Sequence, residues 1–197
     1  MESIYGPHLP EMQRVMEEME TRLVSLRRRI AAETGMDPVE HCLARIKSDE
    51  SMREKCRRQA LPETADSAVN RIYDAIGFRI VCAFLNDVYM VRDYLAGMPD
   101  VTVITEKDYI RHAKPNGYRS YHMVIQTQSG YYVEFQIRTI SMDTWAALEH
   151  HMKYKKQLGG NIELITAELK RCAEELASTD VSMQTLRDMI LEGGAEA

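Results

Sequence analysis

The 197-residue sequence is sparing with cysteine, at four residues, and with aromatic residues, at 7%. Cys42, Cys56, Cys82 and Cys172 stand far apart, and no two form a C-x-x-C pair. That spacing argues against a cysteine-built zinc site and against a disulfide framework. Isolated thiols instead fit a reducing compartment, where they act as small buried hydrophobes. No stretch approaches the roughly 18 consecutive apolar residues of a membrane span. Met1 to Pro10 lacks the basic-then-apolar order of a secretory signal, so a cytoplasmic protein is expected. An excess of positive charge is missing too. The 25 basic residues face 30 acidic ones, and the formal net charge of −5 excludes a general coat for long nucleic acid. What the chain does have is 45% apolar and 28% charged residues, enough to pack one domain with helical arms rather than remain disordered.

Apolar residues at three- and four-residue spacing predict a helix from Pro10 to Thr34, stopped by Gly35. Asp37-Pro38 predicts the start of another helix, Ser48 to Gln59 a second, and Glu63 to Ile76 a third. The period then changes. Gly77 to Phe84, Val101 to Ile110, Ser120 to Thr127 and Tyr131 to Thr139 read as strands. Asn86 to Met98 reads as a crossover helix between the first two, and Ser129-Gly130 as a tight hairpin between the last two. Ile140 to Gln157 returns to helix, with Met142, Trp145, Leu148 and Met152 on one side and core packing expected for Trp145 and Leu148. Gly159-Gly160 breaks the chain before a last helix from Asn161 to Leu191. The fold class is α+β (mixed α/β): a small mixed sheet of about four to five strands between helical ends.

Four segments carry chemistry. In Ala44 to Gln59, six basic residues face three acidic ones, and Lys47, Ser51, Lys55 and Arg58 fall on one stripe if the segment is helical. Such a stripe suits a polyphosphate, and a solvated charged face is the alternative. In KPNGYRSYH the Pro115-Asn116-Gly117 turn presents Lys114, Tyr118 and Arg119, either as a stacking platform beside cations or as an ordinary loop. In YYVEFQIRT strict alternation puts Glu134, Gln136 and Arg138 on one face, which is a polar site or a solvent side. In YDAIGFRIV, Asp74 precedes a strand that contains Arg79, as a metal ligand or a turn aspartate.

Order and combination single these segments out. The basic stripe, D-x-x-G-x-R, K-D-Y-I, K-P-N-G-Y-R-S-x-H, E-x-Q-I-R-T and W-x-x-L-E-H together resemble the synthetase domain of the RelA/SpoT family, from about Val39 to Lys156. The length leaves no room for the hydrolase and regulatory regions of long relatives, so the chain resembles a stand-alone small alarmone synthetase. The resemblance implies a nucleotidyltransferase-like synthetase fold, with a helical arm at 1–36, the synthetase domain at 37–157 and a C-terminal helix at 158–197. It implies transfer of the β,γ-pyrophosphate of ATP to the ribose 3′-hydroxyl of GDP or GTP.

Carried over by motif, Arg45 and Arg79 would sandwich adenine, and Lys47, Ser51, Lys55 and Arg58 would hold the ATP phosphates. Asp74 and Glu134 would be the catalytic carboxylates and coordinate Mg2+, with Glu134 accepting the hydroxyl proton. Tyr118 would stack on guanine. Lys114, Asn116, His122 and Gln136 would contact the acceptor, bordered by Glu149 and His150. A homotetramer is expected by family analogy. Thr105-Glu106, where some long relatives are basic first, leaves the choice between GDP and GTP open. Two other functions compete: a tRNA 3′-end pyrophosphokinase of the same fold, and a non-catalytic nucleotide sensor. The last helix, with three basic and seven acidic residues from Ile162 to Glu192, is a poor surface for tRNA, so no stable nucleic-acid partner is expected.

Overall fold

The structure, a computed structural model, describes residues 3–154 and 161–194. The expected helix end at Gln157, the end of the matched motifs at Lys156, the Gly159-Gly160 break and the 157/158 boundary lie outside the described residues. A short 3-10 turn, Gly6–His8, leads into α1 (Leu9–Thr34), followed by β1 (Val39–Ile46), α2 (Asp49–Arg58), β2 (Ile76–Cys82) and α3 (Leu85–Ala96). Then come β3 (Val101–Asp108), β4 (Tyr121–Thr127), β5 (Tyr132–Thr139), α4 (Ile140–Tyr154) and α5 (Ile162–Gly194).

The five strands lie in the order β1-β2-β5-β4-β3, with β2 and β5 parallel and every other neighbouring pair antiparallel. Because α3 carries the chain from β2 to the far edge, β4 and β5 fill the gap between the strands it joins. Side chains alternate across the sheet, so Phe78, Ile80, Met123, Ile125, Val133, Phe135 and Ile137 share one face and are all buried. Phe78 and Phe135 stack across the parallel pair, with centroids 5.1 Å apart. The inner stripes of α1 (Met12, Val15, Met19, Leu23, Leu26, Ile30) and α3 (Val88, Val91, Leu95) complete this core. The other face carries the polar members of the same strands, and α4 and α5 pack together beside it.

Gly35 ends α1 with φ of 74°, the left-handed cap its position predicts. Asp37-Pro38 does not start a helix. The Asp37 carboxylate accepts the Val39 N–H at 2.9 Å and is held by Arg27, and the chain enters β1. The helix expected over Glu63 to Ile76 shrinks to a π-type segment at Ser67–Arg71, since Ile76 is drawn into β2. Lys47 lies before α2 rather than on it. That helix is capped by Ser48, whose hydroxyl accepts the Ser51 N–H, and its charges run from Asp49 and Glu50 to Lys55, Arg57 and Arg58, in line with the helix dipole. Trp145 is buried as expected, with its indole N–H donating to the Leu169 carbonyl at 2.7 Å, but Leu148 is 53% exposed. α5 covers the Trp145 side of α4 and leaves Leu148 and Met152 uncovered.

Candidate active site

The polar face of the sheet is laid out by register. Arg45 on β1 pairs with Gly77 on β2, and Leu43 with Arg79. Across the parallel pair Gly77 meets Glu134, Arg79 meets Gln136 and Val81 meets Arg138. On the other side His122 of β4 pairs with Gln136 and with Lys107 of β3. A methyl group on Gly77 would meet no atom within 4 Å, so the floor between Arg45, Arg79 and Glu134 is open. Lys47, Asp74 and Gln136 help line an open cleft of about 220 Å³ over this floor.

Asp74 is the centre of the first half. Its Oδ2 accepts from Lys47 Nζ at 2.7 Å and Lys55 Nζ at 2.5 Å, while its buried Oδ1 has no hydrogen-bond partner among the described residues. Burial pushes the Asp74 carboxyl up, but hydrogen bonds from the two ammonium groups outweigh it and hold the group below its ordinary value. Glu134 is shifted the other way. Burial and the negative charge of Asp74 raise its pKa, against the hydrogen bond from Gln136 and the charges of Lys55 and Lys47. Of the expected phosphate stripe, Lys47 and Lys55 therefore converge on one carboxylate. Ser51 is exposed and hydrogen-bonded to Ser48, and Arg58 is exposed at the helix end with no ion pair among the described residues.

The second half forms around Tyr118. Gly117, with φ of +92°, brings the turn against α5 so closely that an added Cβ would lie 2.7 Å from Ala173 Cβ and 3.2 Å from Lys170 Cα. The turn is braced by Asn116, which accepts the Tyr118 N–H through Oδ1 and donates to Glu149 Oε1 at 3.2 Å. The Tyr118 hydroxyl shares a 2.8 Å hydrogen bond with His122 Nε2, and Lys114 Nζ lies 4.8 Å from its ring centroid. Burial, then the charges of Lys114, Arg138 and Lys107, lower His122 to about 4, so it is neutral near pH 7. His150, next to Glu149 on α4, is exposed and is not brought to this cluster. Arg119 also turns away and donates to the carbonyls of Gly117 and Ala173.

A hydrogen-bonded row joins the halves. Gln136 Nε2 donates to Glu134 Oε2 at 3.2 Å, Arg138 Nη2 donates to Gln136 Oε1 at 2.6 Å and to the Tyr118 hydroxyl at 3.4 Å, and Asp143 receives Arg138 Nη1 at 3.3 Å. The three polar side chains of β5 are thus engaged with one another and do not form a solvent face. Sequence reasoning placed Arg138 beside Glu134 and Gln136 but missed three other contributors. Asp143 completes the row, and Tyr109 stands edge-on to Tyr118 with Lys114 4.5 Å from its ring centroid. Tyr5 donates its hydroxyl to the Lys47 carbonyl at 2.7 Å. Of these three only Tyr109 had a local signal, lying inside a quoted motif.

Residues 44–159 match the family model described as a region found in RelA / SpoT proteins. The chain is 36% identical over 188 residues to GTP pyrophosphokinase YjbM of Bacillus subtilis, covering 91% of this chain and 87% of that one. It is 42% identical over 148 residues to GTP pyrophosphokinase YwaC of the same organism, covering 71% and 70%. The crystal structure of small alarmone synthetase 1 from Bacillus subtilis bound to its product pppGpp is similar at a TM-score of 0.76 and 34% identity, over 91% of this chain and 94% of that one. The matched region contains both halves of the cleft and the row that joins them, from Arg45 to Glu149, and the chain belongs to the RelA/SpoT family.

Proposed function

We infer that the chain is a (p)ppGpp synthetase, a GTP pyrophosphokinase that moves the β,γ-pyrophosphate of ATP onto the ribose 3′-hydroxyl of GDP or GTP. The relatives' names and the product-bound neighbour support this activity. The observation that carries it is Glu134, a carboxylate shared by a cationic cleft on one side and an aromatic, cation-flanked cluster on the other.

Arg45 and Arg79 flank the open floor at Gly77 and would take the adenine between them. Lys47 and Lys55, and from the α2 surface Ser51 and Arg58, would hold the phosphates. Tyr118 would stack on guanine, with Lys114, Asn116, His122 and Gln136 around the acceptor and Glu149 bracing the turn. His150 has no place in this arrangement. Glu134, hydrogen-bonded to Gln136 where the two halves meet, is the base of this reading. It takes the proton of the 3′-hydroxyl as that oxygen attacks the β-phosphorus, the bond from the β-phosphorus to the oxygen bridging it to the α-phosphorus breaks, and AMP leaves. Phosphoryl-type transfer depends mostly on this positioning and on neutralising charge on the moving oxygens.

The donor set fits Mg2+. Asp74 Oδ1 is buried without a partner among the described residues, and a cation held by both carboxylates would relieve the repulsion that, after burial, raises Glu134. Magnesium needs only one or two carboxylates beside water and phosphate oxygens, and Asp74 and Glu134 would hold it while it supplies phosphate charge neutralisation.

The same reading places the enzyme in the cytoplasm, and no helix among the described residues is long and apolar enough to cross a membrane. It also assigns a homotetramer, supported by uncovered apolar side chains on α5, among them Leu186, Met189 and Ile190. The test is to incubate purified protein with Mg2+, labelled ATP and either GDP, GTP or tRNA. Label on GDP or GTP is the expected result. Label on tRNA alone, or on no acceptor, contradicts it.

A further inference from the structure

Asp143 makes none of the contacts that either nucleotide half needs, yet it stands between them. It lies in the first turn of α4, where the free backbone N–H groups of a helix start favour a carboxylate. The turn is anchored, since Thr139 Oγ1 accepts the Met142 N–H and donates to Asp180 on α5 at 2.6 Å. Asp143 Oδ1 is 3.3 Å from Nη1 of Arg138 and 3.8 Å from Nη1 of Arg79, and its Oδ2 is 4.0 Å from His41 Nε2.

The two guanidinium groups belong to different halves. Arg79 borders the donor floor, whereas Arg138 holds the Tyr118 hydroxyl and the Gln136 amide on the acceptor side. Arg138 is 2% exposed and its Nε has no hydrogen-bond partner among the described residues, so its position depends on the few groups that hold its Nη atoms. Arg79 is 43% exposed at its side chain, and its ion pair with Asp143, at 3.8 Å, is the looser of the two. One carboxylate oxygen between these two cations adds a second side-chain link between the halves, from Arg79 on β2 to Arg138 on β5, beside the Glu134–Gln136–Arg138 row.

The geometry points to Asp143 as a positioning residue that couples the two nucleotide sites. A nucleotide seated against Arg79 orders that guanidinium, and through the shared oxygen it orders Arg138, Tyr118 and Gln136 for the acceptor. The ordering entropy is then met once for two ligands, which makes their binding mutually favourable with no change of fold. The factor must be the same in either direction. This rests on the pyrophosphokinase reading, and the experiment separates the two.

Titration calorimetry with the non-hydrolysable donor analogue AMPCPP and with GDP, each alone and in the presence of the other, tests the coupling on the full chain with Mg2+. For the wild type, saturating AMPCPP should tighten GDP binding by about fivefold or more, the lower range of ordinary site-to-site coupling. In Asp143→Asn each nucleotide alone should bind within about twofold of wild type, and the enhancement should fall to within about twofold of none. Asp143→Glu, which keeps the charge, should restore part of it. A residue that only stabilised α4 would lower the melting temperature and leave the enhancement intact. If Asp143→Asn melts below the assay temperature, Asp143→Ser carries the same comparison. Enhancement retained without the carboxylate, or absent from a wild type that binds both nucleotides, overturns the coupling. Failure of the wild type to bind either nucleotide overturns the pyrophosphokinase reading instead.

Discussion

At the residue scale the site rests on pairs whose charges shift one another. Glu134 is raised by burial and by Asp74, while Asp74, despite its burial, is held down by Lys47 and Lys55. Replacing Glu134 with Gln keeps the shape and removes the base. Turnover should fall by about 10² to 10⁴, with little change in nucleotide affinity, measured by initial rates and calorimetry. Near-normal synthesis would show that another group takes the proton. His122 makes a separate prediction about stability. Its folded pKa of about 4 lies below the unfolded value of 6.5, so the unfolded chain binds the proton more readily. The contribution is fully present above pH 6.5 and is lost as pH falls toward 4. Chemical denaturation of His122→Gln should show a flatter decline than wild type over that window, and an unchanged decline would remove His122 as its cause.

At the element scale, the turn carrying Lys114 to Tyr118 is set by a helix more than fifty residues away. Gly117 is the contact point, with a positive φ and no space for a Cβ beside Ala173 and Lys170. Gly117→Ala should destabilise the fold by about 1–3 kcal/mol and raise the KM for the guanine nucleotide more than that for ATP. Melting curves and two-substrate kinetics check this, and equal effects on both KM values would detach the turn from the acceptor site. The alternation Val133, Glu134, Phe135, Gln136, Ile137 was legible because a strand's period is local, and so were α1 and its Gly35 stop. Asp37-Pro38 misled because a carboxylate followed by proline equally caps a turn into a strand. Asp143 and Tyr5 could not be read ahead, since each gains its role only where the fold brings Arg79, Arg138 or Lys47 to it.

At the scale of the whole molecule, the charge of −5 hides a division of labour. The segment Ala44 to Gln59, with six basic residues against three acidic, supplies Lys47 and Lys55 to the cleft, and α5, three basic against seven acidic through Glu192, carries the balancing charge away from it. Which apolar positions of α5 a neighbour in the same chain would cover was not legible in the sequence. Ile190, 73% exposed, and Leu186, 53% exposed, belong to the uncovered set. If these positions form the proposed tetramer contact, the wild type should scatter light as a tetramer, and the double substitution Leu186→Glu and Ile190→Glu should split it without unfolding the subunit, as read by circular dichroism. A tetramer that persists would move the contact elsewhere. The central claim is the transfer of an intact pyrophosphate by Glu134-dependent attack on the β-phosphorus, and product stoichiometry tests it most directly. With ATP and GDP, the wild type should release one AMP for each guanine nucleotide newly esterified at its 3′ oxygen, and Glu134→Gln should suppress both together. Release of ADP with a singly phosphorylated acceptor, or AMP formed without a guanine product, would contradict the account.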